Sequence, residues 1–240
     1  MTVLRLRLPR RRLDEGFTLV EMLTTMLLLS VISALAFGAL IGTQKTVRGN
    51  IGRLDQTQQA KVAGDTITKN LRTAVLPSQI LGTCTDCQDA AFLSGDWNKV
   101  SFFANINNPA NTVGPSKVTY ALAANGSLTE TVQPPNAHAA DDYNYTYCAP
   151  ISATCKAYSR TVARNVVASA TAPIFTYYDY SGGQLSVPIT GTTLADVNSI
   201  NIVLTIKSSK EVKGGTIVTH VTMPNADSLE QSTATATATP

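Results

Sequence analysis

Apolar residues run from Phe17 to Gly42 with a single charge among them, the carboxylate of Glu21. About 20 apolar residues span a bilayer as a helix, so this stretch is expected to cross or anchor in a membrane. Beyond Gly42 the pattern turns amphipathic. Val47, Ile51, Leu54, Val62, Ile67, Leu71 and Val75 recur mostly at three- to five-residue steps between Arg48, Arg53, Lys61, Lys69 and Arg72. That period predicts a helix continuing out of the apolar run, with the stripe packed against a sheet. Pro77 marks its expected end, giving a helix of about 60 residues and roughly 90 Å. Gly38, Gly42, Gly49, Gly52 and Gly64 are expected to weaken it locally.

Ser78 to Asn98 reads as a loop, after which the period switches to two. Lys99–Phe103 and Val118–Leu122 are predicted strands, the second joined to Ser127–Val132 through Asn125-Gly126, a dipeptide suited to a tight hairpin. A long polar and aromatic loop is expected from Gln133 to about Arg160. Two further hairpins follow: Ile174–Tyr180 with Gln184–Val187 across Ser181-Gly182-Gly183, and Ser199–Lys207 with Thr216–Met223. The tail from Asn225, ending in a Thr-Ala repeat, has nothing to bury and is expected to be disordered. The predicted class is therefore α+β: a long N-terminal helix, membrane-spanning in its first half, packed on an antiparallel β-sheet head.

Glu21 needs an explanation, because a carboxylate near the middle of a spanning helix costs on the order of 3 kcal/mol, and less near its end. The residues before the apolar run are basic (Arg5, Arg7, Arg10, Arg11, Arg12), and the run starts directly after Asp14-Glu15-Gly16. Gly16-Phe17-Thr18-Leu19-Val20-Glu21-Met22-Leu23 resembles the class 3 processing site of type IV pilins and type II secretion pseudopilins. The resemblance covers about 30 residues. It implies that a prepilin peptidase cuts between Gly16 and Phe17, that the new Phe17 amine is methylated, and that Glu21 is the family's assembly carboxylate. Asp14 and Glu15 depart from the basic or neutral residues common in the family at those positions. Physical chemistry points the same way. Cleavage leaves an ammonium on Phe17, about 6 Å along the axis from Glu21. Subunits stacked with an axial offset can then pair one chain's carboxylate with its neighbour's ammonium, removing a buried charge in each case.

The resemblance implies a pilin-like fold divided into a leader (1–16), a transmembrane and filament-core helix (17–42), an amphipathic continuation (43–76), a disulfide-containing β-rich head (77–224) and a tail (225–240). Tyr120-Ala121-Leu122 with Gly126-Ser127-Leu128, Arg164-Asn165-Val166 before Phe175-Thr176-Tyr177-Tyr178, and Ile202-Val203-Leu204 resemble J-type minor pseudopilins and large minor pilins. That group implies a subunit of a tip-initiating complex. The implied partners are the prepilin peptidase, other pilin or pseudopilin subunits and the inner-membrane assembly platform. The implied location is the cytoplasmic membrane, single-pass with an extracytoplasmic head, and then a cell-surface filament.

Composition changes the picture in two places. The net charge of +3 comes from the leader, which holds five of 19 basic and two of 16 acidic residues and leaves 14 of each in the mature chain. A neutral chain gives no broad electrostatic footprint for nucleic acid. Cys84, Cys87, Cys148 and Cys155 all follow the apolar run, on the exported side in the pilin topology, where disulfides are expected. Pairing is either local (Cys84 with Cys87, Cys148 with Cys155) or crossed, with local pairs preferred. Cys84-Thr85-Asp86-Cys87 is also a C-x-x-C motif, but the second pair lacks zinc-knuckle spacing and neither has a histidine nearby, which disfavours metal.

No cofactor is expected. His138 and His220 stand beside no recognisable nucleophile motif, so a non-enzymatic protein is expected. Asp141, Asp142 and Asn144 lack the glycine and distal glutamate of a calcium loop and read as a solvated acidic loop. Tyr143, Tyr145 and Tyr147 alternate through the same region, as a binding strip or as packing beneath the loop. The rival reading is a membrane-anchored or secreted, adhesin-like binding module, with Ala34-Leu35-Ala36 as an ordinary signal-peptide cut site.

Overall fold

A computed structural model describes residues 16–80, 90–108, 114–135, 147, 157–207 and 214–223. Two compact units divide the chain, one ending at Gly49 and one beginning at Asn50. The long helix α1 (Leu19–Leu71) is continuous through all five of its glycines. In the first unit its apolar side chains are exposed, Leu19 by 77%, Leu27 by 64% and Phe37 by 64%. Three of its hydroxyls bond within the helix. Thr24, Thr25 and Ser30 donate to the carbonyls of Glu21, Met22 and Leu27 at 2.8–3.0 Å. Such back-bonding lets polar side chains sit in an apolar rod without unpaired donors.

In the second unit α1 buries Gln56, Ala60, Ala63, Gly64, Ile67 and Leu71. This corrects the expected stripe, of which only Ile67, Leu71 and, beyond the helix, Val75 are buried; Val47, Ile51, Leu54 and Val62 are exposed. The three- to four-residue spacing holds, but the face is set by small residues. A Cβ on Gly64 would lie 3.9 Å from Leu204 Cδ1 and from Thr219 Oγ1, so the helix lies close against the sheet. A reading weighted towards large side chains passes over Ala, Gly and Gln. The helix also ends at Leu71 rather than at Pro77, its last turn closed by Thr73 N and Ala74 N on the carbonyls of Asn70 and Leu71. Pro77 instead starts the short helix α2 (Pro77–Ile80).

Among the described residues, nine strands form two antiparallel sheets. In the first, β1 (Phe92–Gly95), β2 (Lys99–Ala104), β3 (Ser116–Leu122), β4 (Leu128–Gln133) and β5 (Tyr158–Ala163) pair in chain order. In the second, β6 (Phe175–Tyr178), β7 (Gln184–Leu185), β8 (Ser199–Ile206) and β9 (Gly215–Thr222) take the order β7-β6-β8-β9. All three expected hairpins form. Two strands fall in segments expected to be loops: β1, too short to show a period, and β5, whose Tyr158, Ser159, Arg160 and Thr161 are all exposed at a sheet edge.

The β3–β4 and β6–β7 turns use the same device. Each closes a three-residue loop with a glycine in the left-handed region, Gly126 (φ 77°) and Gly182 (φ 82°). Ala123 N reaches Ser127 O, and Asp179 N reaches Gly183 O, both at 2.9 Å. These are type I turns with a bulge rather than the two-residue hairpin that Asn125-Gly126 suggests. Asp179 Oδ1 accepts from Ser181 N, Ser181 Oγ and Gly183 N at 2.7–2.8 Å, which holds its carboxyl below the usual carboxylate range.

The sheets share one core. Trp97 O accepts from both Ile174 N and Phe175 N, and Gly95 exchanges backbone bonds with Ile189. Tyr177, fully buried on β6, donates its hydroxyl towards Asp96 O and Lys99 O across the β1–β2 turn. Gly95 makes room for that ring, since a Cβ there would lie 2.8 Å from Tyr177 Cζ. Gly95→Ala is therefore expected to lower stability by about 1–3 kcal/mol through overpacking. Urea unfolding of the detergent-solubilised chain measures it, and a midpoint equal to that of the parent would refute the contact.

Candidate functional site

Gly16, Phe17 and Thr18 precede the first turn of α1 in non-helical backbone, so the Gly16–Phe17 bond is presented outside helical hydrogen bonding. A Cβ on Gly16 would meet nothing within 4 Å. Among the described residues, none requires glycine there.

Thr18 caps the helix. Its Oγ1 accepts from Glu21 N at 3.3 Å, and its carbonyl accepts from Met22 N at 3.1 Å. Thr18-Leu19-Val20-Glu21 thus has the Thr-x-x-Glu spacing of a capping box, with Glu21 at the third helical position. A carboxylate there is favoured by the positive end of the helix dipole, by about 0.3–1 kcal/mol. Glu21 therefore stands at the helix start rather than within the span. The Thr-x-x-Glu spacing was readable in the sequence but was overshadowed by the apolar run around it.

A second carboxylate, missed from sequence, lies in the head. Glu130 is fully buried on the inner face of β4 between Leu128 and Val132. Its Oε1 accepts from Tyr120 OH at 2.7 Å and from Asn70 Nδ2 at 2.5 Å, and its Oε2 is paired with Arg160 Nε. Register sets this up. Tyr120 is opposite Glu130 across β3–β4, and Glu130 opposite Arg160 across β4–β5, so three side chains from three strands lie in one row. Asn70 completes the cluster from the last turn of α1. Glu130 holds the Arg160 guanidinium more firmly protonated, while burial, and then Glu130, push the Tyr120 phenol up. With no exposed surface and three donors on it, this carboxylate has no approach for a substrate; its chemistry is that of a tie between helix and sheet. The available signal was a charge in an inward-facing slot of a period-two strand.

The remaining candidates separate. Cys84, Cys87, Cys148, Cys155, His138, Asp141, Asp142, Tyr143, Asn144 and Tyr145 lie outside the described residues. Tyr147 packs: its hydroxyl donates to Pro115 O at 2.8 Å and its ring lies 6.0 Å from that of Phe103. His220 is exposed on β9, its ring 6.0 Å from that of Tyr178. Among the described residues no group of three His, Cys, Asp or Glu is placed to hold a metal.

Residues 11–37 match the prokaryotic N-terminal methylation motif, a window that contains Gly16, Phe17 and Glu21. The match covers the N-terminal segment alone. The α1 helix is long and apolar enough to cross a membrane, and none of its apolar window is buried in the protein. No curated protein and no solved structure matches the chain. The head is accordingly described from its own geometry alone.

Two measurements check that geometry. Arg160→Ala leaves the Glu130 charge buried with neutral donors only and is expected to cost about 3 kcal/mol, whereas Tyr120→Phe costs about 1 kcal/mol. Equal, negligible losses in urea unfolding would refute the tie. The phenols of Tyr120 and Tyr177 are both raised from 10.0, chiefly by burial. A raised folded value means that their contribution is fully present below about pH 10 and is lost as pH rises towards the folded value. In a phenolate absorbance titration, at least two of the eight tyrosines should stay neutral at about pH 11 until the chain unfolds. Full titration in the folded state would contradict their burial.

Proposed function

We propose that this chain is a minor pilin or pseudopilin subunit of the J-type or large minor class. It is made as a precursor, cut after Gly16, methylated on Phe17 and built into a type IV pilus or type II secretion pseudopilus as part of the tip-initiating complex. Hydrolysis of the Gly16–Phe17 amide leaves a carboxylate on the leader and an ammonium on Phe17. Glu21 then pairs with the N-terminus of a neighbouring subunit. The helix holds the precursor in the cytoplasmic membrane with the head on the extracytoplasmic side, where Cys84, Cys87, Cys148 and Cys155 form disulfides. The role is structural rather than enzymatic.

The observation that carries this reading is the coincidence of the methylation motif with a capped, apolar and wholly unburied helix start whose one charge is Glu21. A head of about 150 residues fits a minor subunit better than a small major one. The strand edges give it surfaces for other minor subunits.

Intact mass of protein from the native host is expected to give a chain starting at Phe17 with one added methyl group. A start at Phe37, or an unprocessed Met1, would instead support the anchored or secreted binding module. Gly16→Ala is expected to block processing.

The capping geometry separates two roles for Glu21. Glu21→Gln keeps a side chain able to complete the capping box but removes the charge. It should be processed normally and lose incorporation by about tenfold or more, the equivalent of ~1.4 kcal/mol. Thr18→Ala, which removes the cap at a cost of about 1 kcal/mol, should assemble. Normal assembly of Glu21→Gln would assign Glu21 to capping and remove the charge pairing.

A further inference from the structure

Gln56 is the first residue of the buried stripe on α1 and its one polar member. It is followed at three- and four-residue steps by Ala60, Ala63, Ile67 and Leu71, and only 5% of it is exposed. Among the described residues neither its Oε1 nor its Nε2 has a hydrogen-bond partner. A primary amide carries two donors and an acceptor oxygen. Burying them unpaired forfeits the bonds that water would supply, so the docking of α1 on the sheet is opposed at this residue.

Little at the same level offsets that cost. Over residues 53–60 the buried side chains of α1 are Gln56 and the single methyl of Ala60. The sheet meets them with bare backbone: a Cβ on Gly215, at the start of β9, would lie 3.0 Å from Thr57 N. Two turns further on the contact changes character. Ile67 and Leu71 are fully buried, Gly64 faces Leu204 and Thr219, and Asn70 Nδ2 is bonded to both Tyr120 and Glu130. Apolar burial and a buried polar tie therefore hold residues 63–71, and neither holds 53–60.

We propose that residues 53–60 of α1 are a releasable clasp on the start of β9, kept close to opening by the unpaired amide of Gln56, while residues 63–71 are the fixed anchor. Opening lifts Gln56 into water, where its polar atoms find partners, and gives up only the Ala60 methyl and the approach of Thr57 to Gly215. Off the sheet this stretch is a weak helix, because Gly52 stands just before it and Thr57 within it. It frays on release, which makes the opening visible in its amides. The head thus grips one helix at two strengths, and Gln56 sets the difference.

Hydrogen exchange of the full chain in detergent, read by mass spectrometry, tests this on two adjacent peptides. In the parent, 53–60 is expected to exchange on the order of tenfold faster than 63–71. Gln56→Leu, with similar size and helix propensity, removes the polar atoms and should slow 53–60 by about tenfold, the equivalent of ~1.4 kcal/mol, with 63–71 unchanged. Gln56→Glu places a carboxylate in the same slot and should speed 53–60 relative to the parent at about pH 7, an effect that fades towards about pH 4 as the carboxyl gains its proton. Parent-like exchange of a β3–β4 peptide in both variants shows that the head stays folded. Equal protection of 53–60 and 63–71 in the parent would overturn the proposal. So would unchanged or faster exchange of 53–60 in Gln56→Leu, because that result means that the amide is already satisfied where it lies.

Discussion

A carboxylate at the start of an apolar helix is the constraint on which the rest of this molecule depends. The helix dipole and the Thr18 cap make the third position of α1 the least costly place for it. They do not remove the cost of taking a charge into a hydrocarbon layer or a packed bundle of helices. Capping therefore explains where Glu21 sits, and a compensating cation explains why a carboxylate is kept there. Processing at Gly16 would create that cation one helical turn away. On the proposed reading, cleavage and assembly are linked through one charge balance, and the uncut precursor lacks half of it.

The head solves a related problem in a different medium. Glu130 is as fully buried as any residue of the core, yet its partners are built into the fold. Strand register supplies Tyr120 and Arg160, and the last turn of α1 supplies Asn70. An apolar residue of similar size could serve the core equally well in stability. What the carboxylate adds is registry, since a one-residue slip of β3, β4 or β5 would leave a buried charge unpaired. The Gly95–Tyr177 contact has a comparable role between the sheets, where a missing side chain on one element receives a ring from the other.

Much of this architecture was legible in the residue pattern, because strong periodicity and turn chemistry survive in single positions. The long helix, the three hairpins and the left-handed glycines at 126 and 182 follow from runs, period two and Asn-Gly or Gly-Gly dipeptides. The stripe on α1 was misread in part for a physical reason: half of its buried face is Ala60, Ala63 and Gly64, which suit close approach and carry little hydrophobic signal. Strands β1 and β5 escaped because one has four residues and the other lies at an edge with both faces wet. The Glu130 cluster is assembled from positions 60 residues apart, and only the register of three strands brings them together. At the N-terminus the residues themselves spell out the processing motif, and geometry added the capping role of Thr18.

Charge pairing between subunits is tested most directly by zero-length carbodiimide coupling in assembled filaments made from a mixture of isotope-labelled and unlabelled subunits. The reagent joins an amine to a carboxylate only where they touch. Pairing predicts a linked peptide between the Phe17 amine and the Glu21 side chain in which the two halves carry different isotopes. A link found only within one subunit, or no Glu21 adduct at all in intact filaments, would contradict it.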